Sequence, residues 1–153
     1  MGIDYGDFTI GLAIFDVETD YIYPYKTIYR DRANVLRKSI REIVEIVDKE
    51  NITDIVIGYP INMDDTEGDR VEKVKKFKNL LECKLEASIV ESCRGCKPCE
   101  PVYVHFQDER LTTKEARDLL ASHGIKKADE KKYIDQVAAE IILQDYKRKE
   151  QHE

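Results

Sequence analysis

Three groups of acids in this chain sit where a carboxylate needs a reason. Asp4 lies inside the apolar opening Gly2-Ile3-Asp4-Tyr5-Gly6. A carboxylate there is costly to desolvate unless something compensates, and a cation compensates well. Asp108 and Glu109, followed by Arg110, come just after the apolar run Val102–Phe106. That is the carboxyl end of an expected strand, where open α/β sheets place their ligands. Asp135 is followed by Ala138, Ala139 and Ile142, so on a helix it shares the side that should pack on a sheet.

The chemistry that such acids serve together is that of hard divalent cations. Mg²⁺ takes oxygen ligands, commonly one or two carboxylates with water and substrate phosphate. Two such ions about 3.5–4 Å apart activate an attacking water and stabilise the leaving oxygen of an in-line displacement. No Ser, Cys or His nucleophile is then required, which suits a chain whose histidines are His105, His123 and His152. Each acid also has an ordinary explanation taken singly. Asp4 could be a strand-end or turn acid, Asp108 and Glu109 surface acids, and Asp135 an acid answering the helix dipole. Their joint coincidence with element ends favours the metal reading.

A second constellation is separate. All four cysteines fall within residues 83–99: Cys83, then Cys93, Cys96 and Cys99 in two overlapping C-x₂-C steps. Thiolates at that spacing can chelate, and four make a tetrahedral Zn²⁺ site. An iron–sulfur cluster uses the same ligands, and a disulfide pair or free thiols are the alternatives. In a reducing cytoplasm zinc ranks first. Cys83 is the weakest ligand of the set, because it also reads as an ordinary helix-face residue.

The elements that would position these residues follow from periodicity. An apolar stretch runs from about Ile3 to Phe15, punctuated by Gly6 and Gly11, and a strand over Tyr21–Tyr29 follows a turn at Thr19-Asp20. Helical spacing of Leu36, Ile40, Ile43, Val44 and Val47 predicts a helix over 33–49. Asp54–Gly58 reads as a buried strand. Val71, Val74, Phe77, Leu81 and Leu85 form one face of a second helix, and Val102–Phe106 is the next strand. Thr112 and Glu115 make a capping box for a helix that Gly124 closes. A charged connector from Ile125 to Lys132, read as mobile, leads to a last helix over Tyr133–Lys149. Strands joined by helical crossovers imply parallel pairing, and the opening strands an antiparallel part. The expected fold is therefore α/β, a mixed sheet with helices on both faces. One domain over residues 1–150 is expected, with a Cys-rich insertion at about 88–101.

Composition sets the outer limits. With 153 residues, 42% hydrophobic and 37% charged, the chain reads as a globular protein with a core of its own. No run approaches the roughly 18 apolar residues of a membrane helix, and no secretory signal opens the chain. A cytoplasmic protein without membrane association is expected. The net charge of −6 argues mildly against nucleic acid. Local basic clusters at Arg30–Arg41, Arg70–Lys78 and Lys126–Lys132 leave room for it, although each is interleaved with acids and reads first as a solvated helix face.

Four motifs in order then carry a resemblance. Gly2-Ile3-Asp4-Tyr5-Gly6-Asp7 with Ile10-Gly11-Leu12-Ala13 resembles the opening of the YqgF-type family, described as pre-16S rRNA nucleases and as Holliday-junction resolvases. Ile57 to Gly68, Asp108 to Ala116, and Asp135-Gln136-Val137-Ala138-Ala139 running to Gln144 are similar to its remaining signatures. Asp65, where a glycine is usual, and the Cys-rich insertion depart from the pattern. The resemblance implies a ribonuclease H-like fold. It makes Asp4, Glu109 and Asp135 the catalytic acids that bind Mg²⁺ or Mn²⁺, with Asp108 as an alternative to Glu109. Asn62 and Thr66 would border the site, and Arg110 and Thr112 would buttress it or touch phosphate.

The function implied is metal-dependent hydrolysis of nucleic-acid phosphodiesters, first of all maturation of the 5′ end of pre-16S rRNA. Resolution of branched DNA by a Holliday-junction resolvase is the alternative. Partners would be nucleic acid and, for a homodimer rather than a monomer, a second copy of the chain. From a different class, Asp4-Tyr5-Gly6 with Gly11 and Ala13 also resembles the phosphate loop of actin-like nucleotide-binding proteins, whose chains are far longer. A binding protein that has lost activity is the third reading, and the retained acids argue against it.

Overall fold

The opening apolar stretch is not one strand but two. In the computed structural model, which describes residues 1–31, 36–60, 68–92, 100–109 and 113–151, β1 (Gly2–Tyr5) and β2 (Thr9–Asp16) form an antiparallel hairpin. The Gly6 N–H donates to the Thr9 carbonyl at 2.9 Å and closes the turn between them. β3 (Tyr21–Tyr29) pairs antiparallel with β2 after a turn in which Asp20 takes a φ of 55°, a conformation Asp tolerates better than most side chains. β4 (Asp54–Pro60) joins β1 in parallel and β5 (Tyr103–Glu109) joins β4, giving the order β3-β2-β1-β4-β5. α1 (Leu36–Lys49) and α2 (Asp69–Ser92) make the crossovers, and α3 (Thr113–Ser122) and α4 (Glu130–Glu150) follow β5.

Strand alternation sends each apolar set to its own layer. Ile3, Ile10, Leu12, Ile14, Ile55 and Ile57 bury against α1 and α2, where Ile43, Val44, Val47, Phe77 and Leu81 meet them. On the opposite face Ala13, Ile22 and Val56 pack against Ala139, Ile142 and Leu143 of α4. α3 rests on the outer side of α4 through Ala116, Leu120, Val137 and Ile141. There His123 Nε2 lies 2.8 Å from the buried Glu140 carboxylate. Helices therefore cover both faces of a mixed sheet, as the sequence predicts. Among the described residues no helix is long and apolar enough to cross a membrane.

Several boundaries differ from expectation. β5 runs on to Glu109 instead of ending at Phe106, because Gln107, Asp108 and Glu109 pair with Gly58, Tyr59 and Pro60; the ladder overrides their weak strand preference. α2 continues to Ser92, into the segment assigned to the insertion. The connector before the last helix holds a 3₁₀ turn at Lys127–Asp129, and α4 starts at Glu130. The β2–β3 register shifts between Leu12 and Ala13 as a β-bulge.

α4 and β2 approach each other very closely. A Cβ on Gly11 would stand 1.9 Å from the carbonyl oxygen and 2.9 Å from the Cβ of Asp135, so the helix backbone rests where a side chain would be. Gly11→Ala is expected to displace the start of α4 and cost about 1–3 kcal/mol in urea unfolding. An unchanged midpoint would show that α4 does not rest there.

Candidate active site

The row of residues under the start of α4 collects the first two acids. Asp4 is the cross-strand partner of Gly11, and Gly11 is the partner of Thr27 on β3. Cross-strand partners share a face, so Asp4, Gly11 and Thr27 all face α4. At that level α4 presents Asp135, whose backbone touches the Gly11 position. The next residue, Gln136, anchors the helix: its Nε2 donates to Thr27 Oγ1 at 3.1 Å. Asp4 and Asp135, 131 positions apart in sequence, both border the bare backbone of Gly11.

Glu109 arrives from the other side. Phe106 packs in the layer with α1 and α2, while the His105 ring contacts that of Tyr146 on α4, their centroids 5.5 Å apart. Alternation then puts His105, Gln107 and Glu109 on the α4 face and Asp108 on the opposite face, where it is exposed. Of the two acids, Glu109 and not Asp108 thus shares the face of Asp4. Its Oε2 lies 2.8 Å from the position of a Cβ on Gly58, and Ile142 Cδ1 lies 2.6 Å from the same point. The β1–β4 register of Gly2 with Val56 and Ile3 with Ile57 carries Asp4 to the level of Gly58. A second glycine thus leaves room for a carboxylate beside Asp4.

Electrostatics reports the same convergence. The half-buried Asp4 carboxyl is pushed up to about 8, first by desolvation, then by the negative charges of Glu109 and Asp135, with Arg70 pulling the other way. Burial also raises Glu109, again opposed by Arg70. Glu109 and Asp135 both act on Asp4 through space. Among the described residues, however, no three such side chains stand close enough to form an ion-holding group.

Arg70, at the start of α2, is the cation that acts on these acids, although in sequence it belongs to a basic cluster that reads as a solvated helix face. Around it lie further charged groups. Lys73 Nζ donates to Asp7 at 2.7 Å. Arg30 donates to the Tyr5 hydroxyl at 3.0 Å and to the Gly6 carbonyl, with its guanidinium over the Tyr5 ring. No sequence signal singles Arg70 out, because its neighbours Lys73, Lys75 and Lys76 share its composition.

Asn62, Thr66, Arg110 and Thr112 lie outside the described residues, as do Cys93, Cys96 and Cys99. Cys83 is an exposed free thiol on α2. It precedes the helix end at Ser92 by nine residues (92 − 83), roughly 14 Å along the axis. A shared site would need the segment after α2 to fold back along the helix.

Residues 1–149 match the family described as "RuvX: Holliday junction resolvase". A Lachnospira eligens protein described as "Putative pre-16S rRNA nuclease" is 34% identical over 151 residues, covering 99% of this chain and 97% of its own. A Carboxydothermus hydrogenoformans protein of the same description is 39% identical over 146 residues, covering 95% and 93%. Among solved structures, Thermus thermophilus RuvC is similar with a TM-score of 0.56 at 14% identity, over 96% of this chain and 93% of RuvC. That likeness shows the ribonuclease H-like fold. With the match running from the first strand to the last turn of α4, this chain belongs to the RuvX family of Holliday junction resolvases, the YqgF-type family that its four motifs resemble.

Proposed function

We propose that this protein is a divalent-metal-dependent nuclease in which Asp4, Glu109 and Asp135 hold Mg²⁺ or Mn²⁺, and that residues 1–150 act as one nuclease unit. The observation that supports this reading is the placement of acids from β1, β5 and α4 around Gly11 and Gly58 on one face of the sheet, near enough for Glu109 and Asp135 to act on Asp4. The donor set fits a hard cation: all three ligands are carboxylates, with no thiol or imidazole among them. Asp4, held against ionisation by burial and like charge, gains most from a bound cation. Ligation requires the carboxylates to close together by side-chain rotation.

In this reading the metal supplies Lewis-acid stabilisation of the phosphate and a nucleophile at neutral pH. The chain supplies the rest. β1 and β5 fix Asp4 and Glu109 at the sheet end, α4 brings Asp135 over them, and Arg70 gives a positive charge for a substrate phosphate. Asn62, Thr66, Arg110 and Thr112 are assigned to substrate binding by motif position. A zinc ion on Cys93, Cys96 and Cys99, with Cys83 as fourth ligand, is the separate second metal reading, tested by metal analysis of protein purified without added metal.

The proposed substrate is the 5′ end of pre-16S rRNA, after the descriptions of the relatives that match over nearly their whole length. Branched DNA is the second reading, favoured by the family description. Resolution of a four-way junction calls for a symmetric dimer with two sites, whereas trimming of an RNA end does not. Challenged with structured RNA and with junction DNA, the protein is expected to cleave in Mg²⁺ or Mn²⁺ and not in EDTA. Asp4→Asn and Asp135→Asn are each expected to lower the rate by at least roughly a hundredfold with the fold intact. Equal cleavage in EDTA would overturn the metal mechanism.

Burial of Asp4 also sets a pH dependence. An acid whose pKa is raised on folding, here from 3.8 to about 8, costs nothing below its unfolded value and destabilises progressively as pH rises toward the folded one. In EDTA, Asp4→Asn is therefore expected to melt higher than the wild type at pH 8, with the difference vanishing near pH 4. A gain of the same size at both pH values would mean that Asp4 ionisation is not its source.

A further inference from the structure

Cations from two elements converge on the side of the sheet away from the carboxylates, in a groove between α1 and β3. Its volume is about 470 Å³. Lys26 of β3 and Lys38, Arg41 and Lys49 of α1 line it, against the carboxylates of Glu42 and Glu45. Four positive charges thus face two negative ones, in a chain whose net charge is −6. The bulge in the β2–β3 ladder aims the strand into this groove. Leu12 pairs with Lys26 and Ala13 with Pro24, which leaves Tyr25 as the extra residue. Tyr25 packs in the layer under α1, and Lys26, opposite Leu12 of that same layer, turns toward it as well. In a regular strand one of the two would face α4.

A merely solvated helix face pairs its charges along the helix, and this one does not. Lys38 has Glu42, and Arg41 has Glu45, four residues on. Glu42 instead bonds Lys26 across the groove, and among the described residues neither Lys38 nor Arg41 forms an ion pair. Lys49 is tied to Glu50 and Tyr25. Two exposed cations one helical turn apart are left facing the groove, a repulsive arrangement that an anionic ligand relieves. The groove also lies on the path of a chain leaving the carboxylates. Arg30, just past the end of β3, lies over the ring of Tyr5, the neighbour of Asp4. Lys26 stands four residues back along the extended chain (30 − 26), roughly 13 Å away. Positive charge therefore continues from the end of the sheet to Lys38 and Arg41, a track that a phosphodiester backbone can follow.

We propose that this groove is a docking surface for the phosphodiester backbone of the substrate nucleic acid, with Lys38 and Arg41 as its free phosphate contacts. The choice of partner rests on the nuclease reading of the carboxylates, but the groove is tested by binding. A short fluorescently labelled RNA hairpin in EDTA is the probe, titrated at several salt concentrations. Lys38→Gln combined with Arg41→Gln is expected to weaken binding at least roughly tenfold and to reduce the salt slope by about 1–2. Arg148→Gln combined with Lys149→Gln removes the same charge from the last turn of α4, on the other face of the sheet, and is expected to change affinity less than about twofold. All four side chains are exposed, so both variants are expected to melt with the wild type. Equal weakening by the two pairs, or no change from the first, would overturn the groove. In Mg²⁺ the groove variant is expected to keep the wild-type kcat while KM rises. A wild type that binds the hairpin without cutting it refutes the nuclease reading and leaves the groove standing. Unchanged binding by the groove variant of a cleaving enzyme does the reverse.

Discussion

The molecule is organised around the contact of one helix with one glycine. α4 lies so close to β2 that its backbone occupies the place of a side chain on Gly11, and everything at the functional end follows from that distance. With the helix seated, Asp135 stands over Gly11, whose cross-strand partner is Asp4. Were the helix lifted by the width of a methyl group, the two acids would move apart. Gln136 on Thr27 fixes the helix sideways, and Ala139, Ile142 and Leu143 hold it down further along.

The same packing has an electrostatic cost. Three carboxylates near one another, two of them with raised pKa values, oppose the compact state at neutral pH, and the apolar layers on both sides of the sheet must carry that burden. Phe77, fully buried and stacked on Tyr5 with ring centroids 4.4 Å apart, secures β1 from the side opposite Asp4. The strand that carries a destabilising acid on one face is pinned by an aromatic on the other. Local destabilisation at a functional end, offset by packing elsewhere, is the usual trade in enzymes.

Much of this was legible before any coordinates. Period-2 and period-3.6 patterns marked the strands and helices, and Asp135 with Ala138, Ala139 and Ile142 pointed to a helix face that does lie on the sheet. What escaped was what depends on pairing and close approach. Asp108 and Glu109 could not be told apart until the ladder with Tyr59 and Pro60 fixed their alternation. Gly11 and Gly58 read as punctuation, since nothing local shows that a helix backbone and a carboxylate come to fill their missing side chains. Arg70 was hidden among chemically equal neighbours on α2, and only position distinguishes it.

The bulge between Leu12 and Ala13 reaches beyond the site. β3 is an outer strand of the sheet, and an outer strand with regular free amides and carbonyls invites a foreign chain to continue it. Here the interrupted register breaks that regularity, and Pro24 withdraws one donor from the row. The irregularity beside the functional end thereby also guards the protein against growing into fibrous aggregates through that edge.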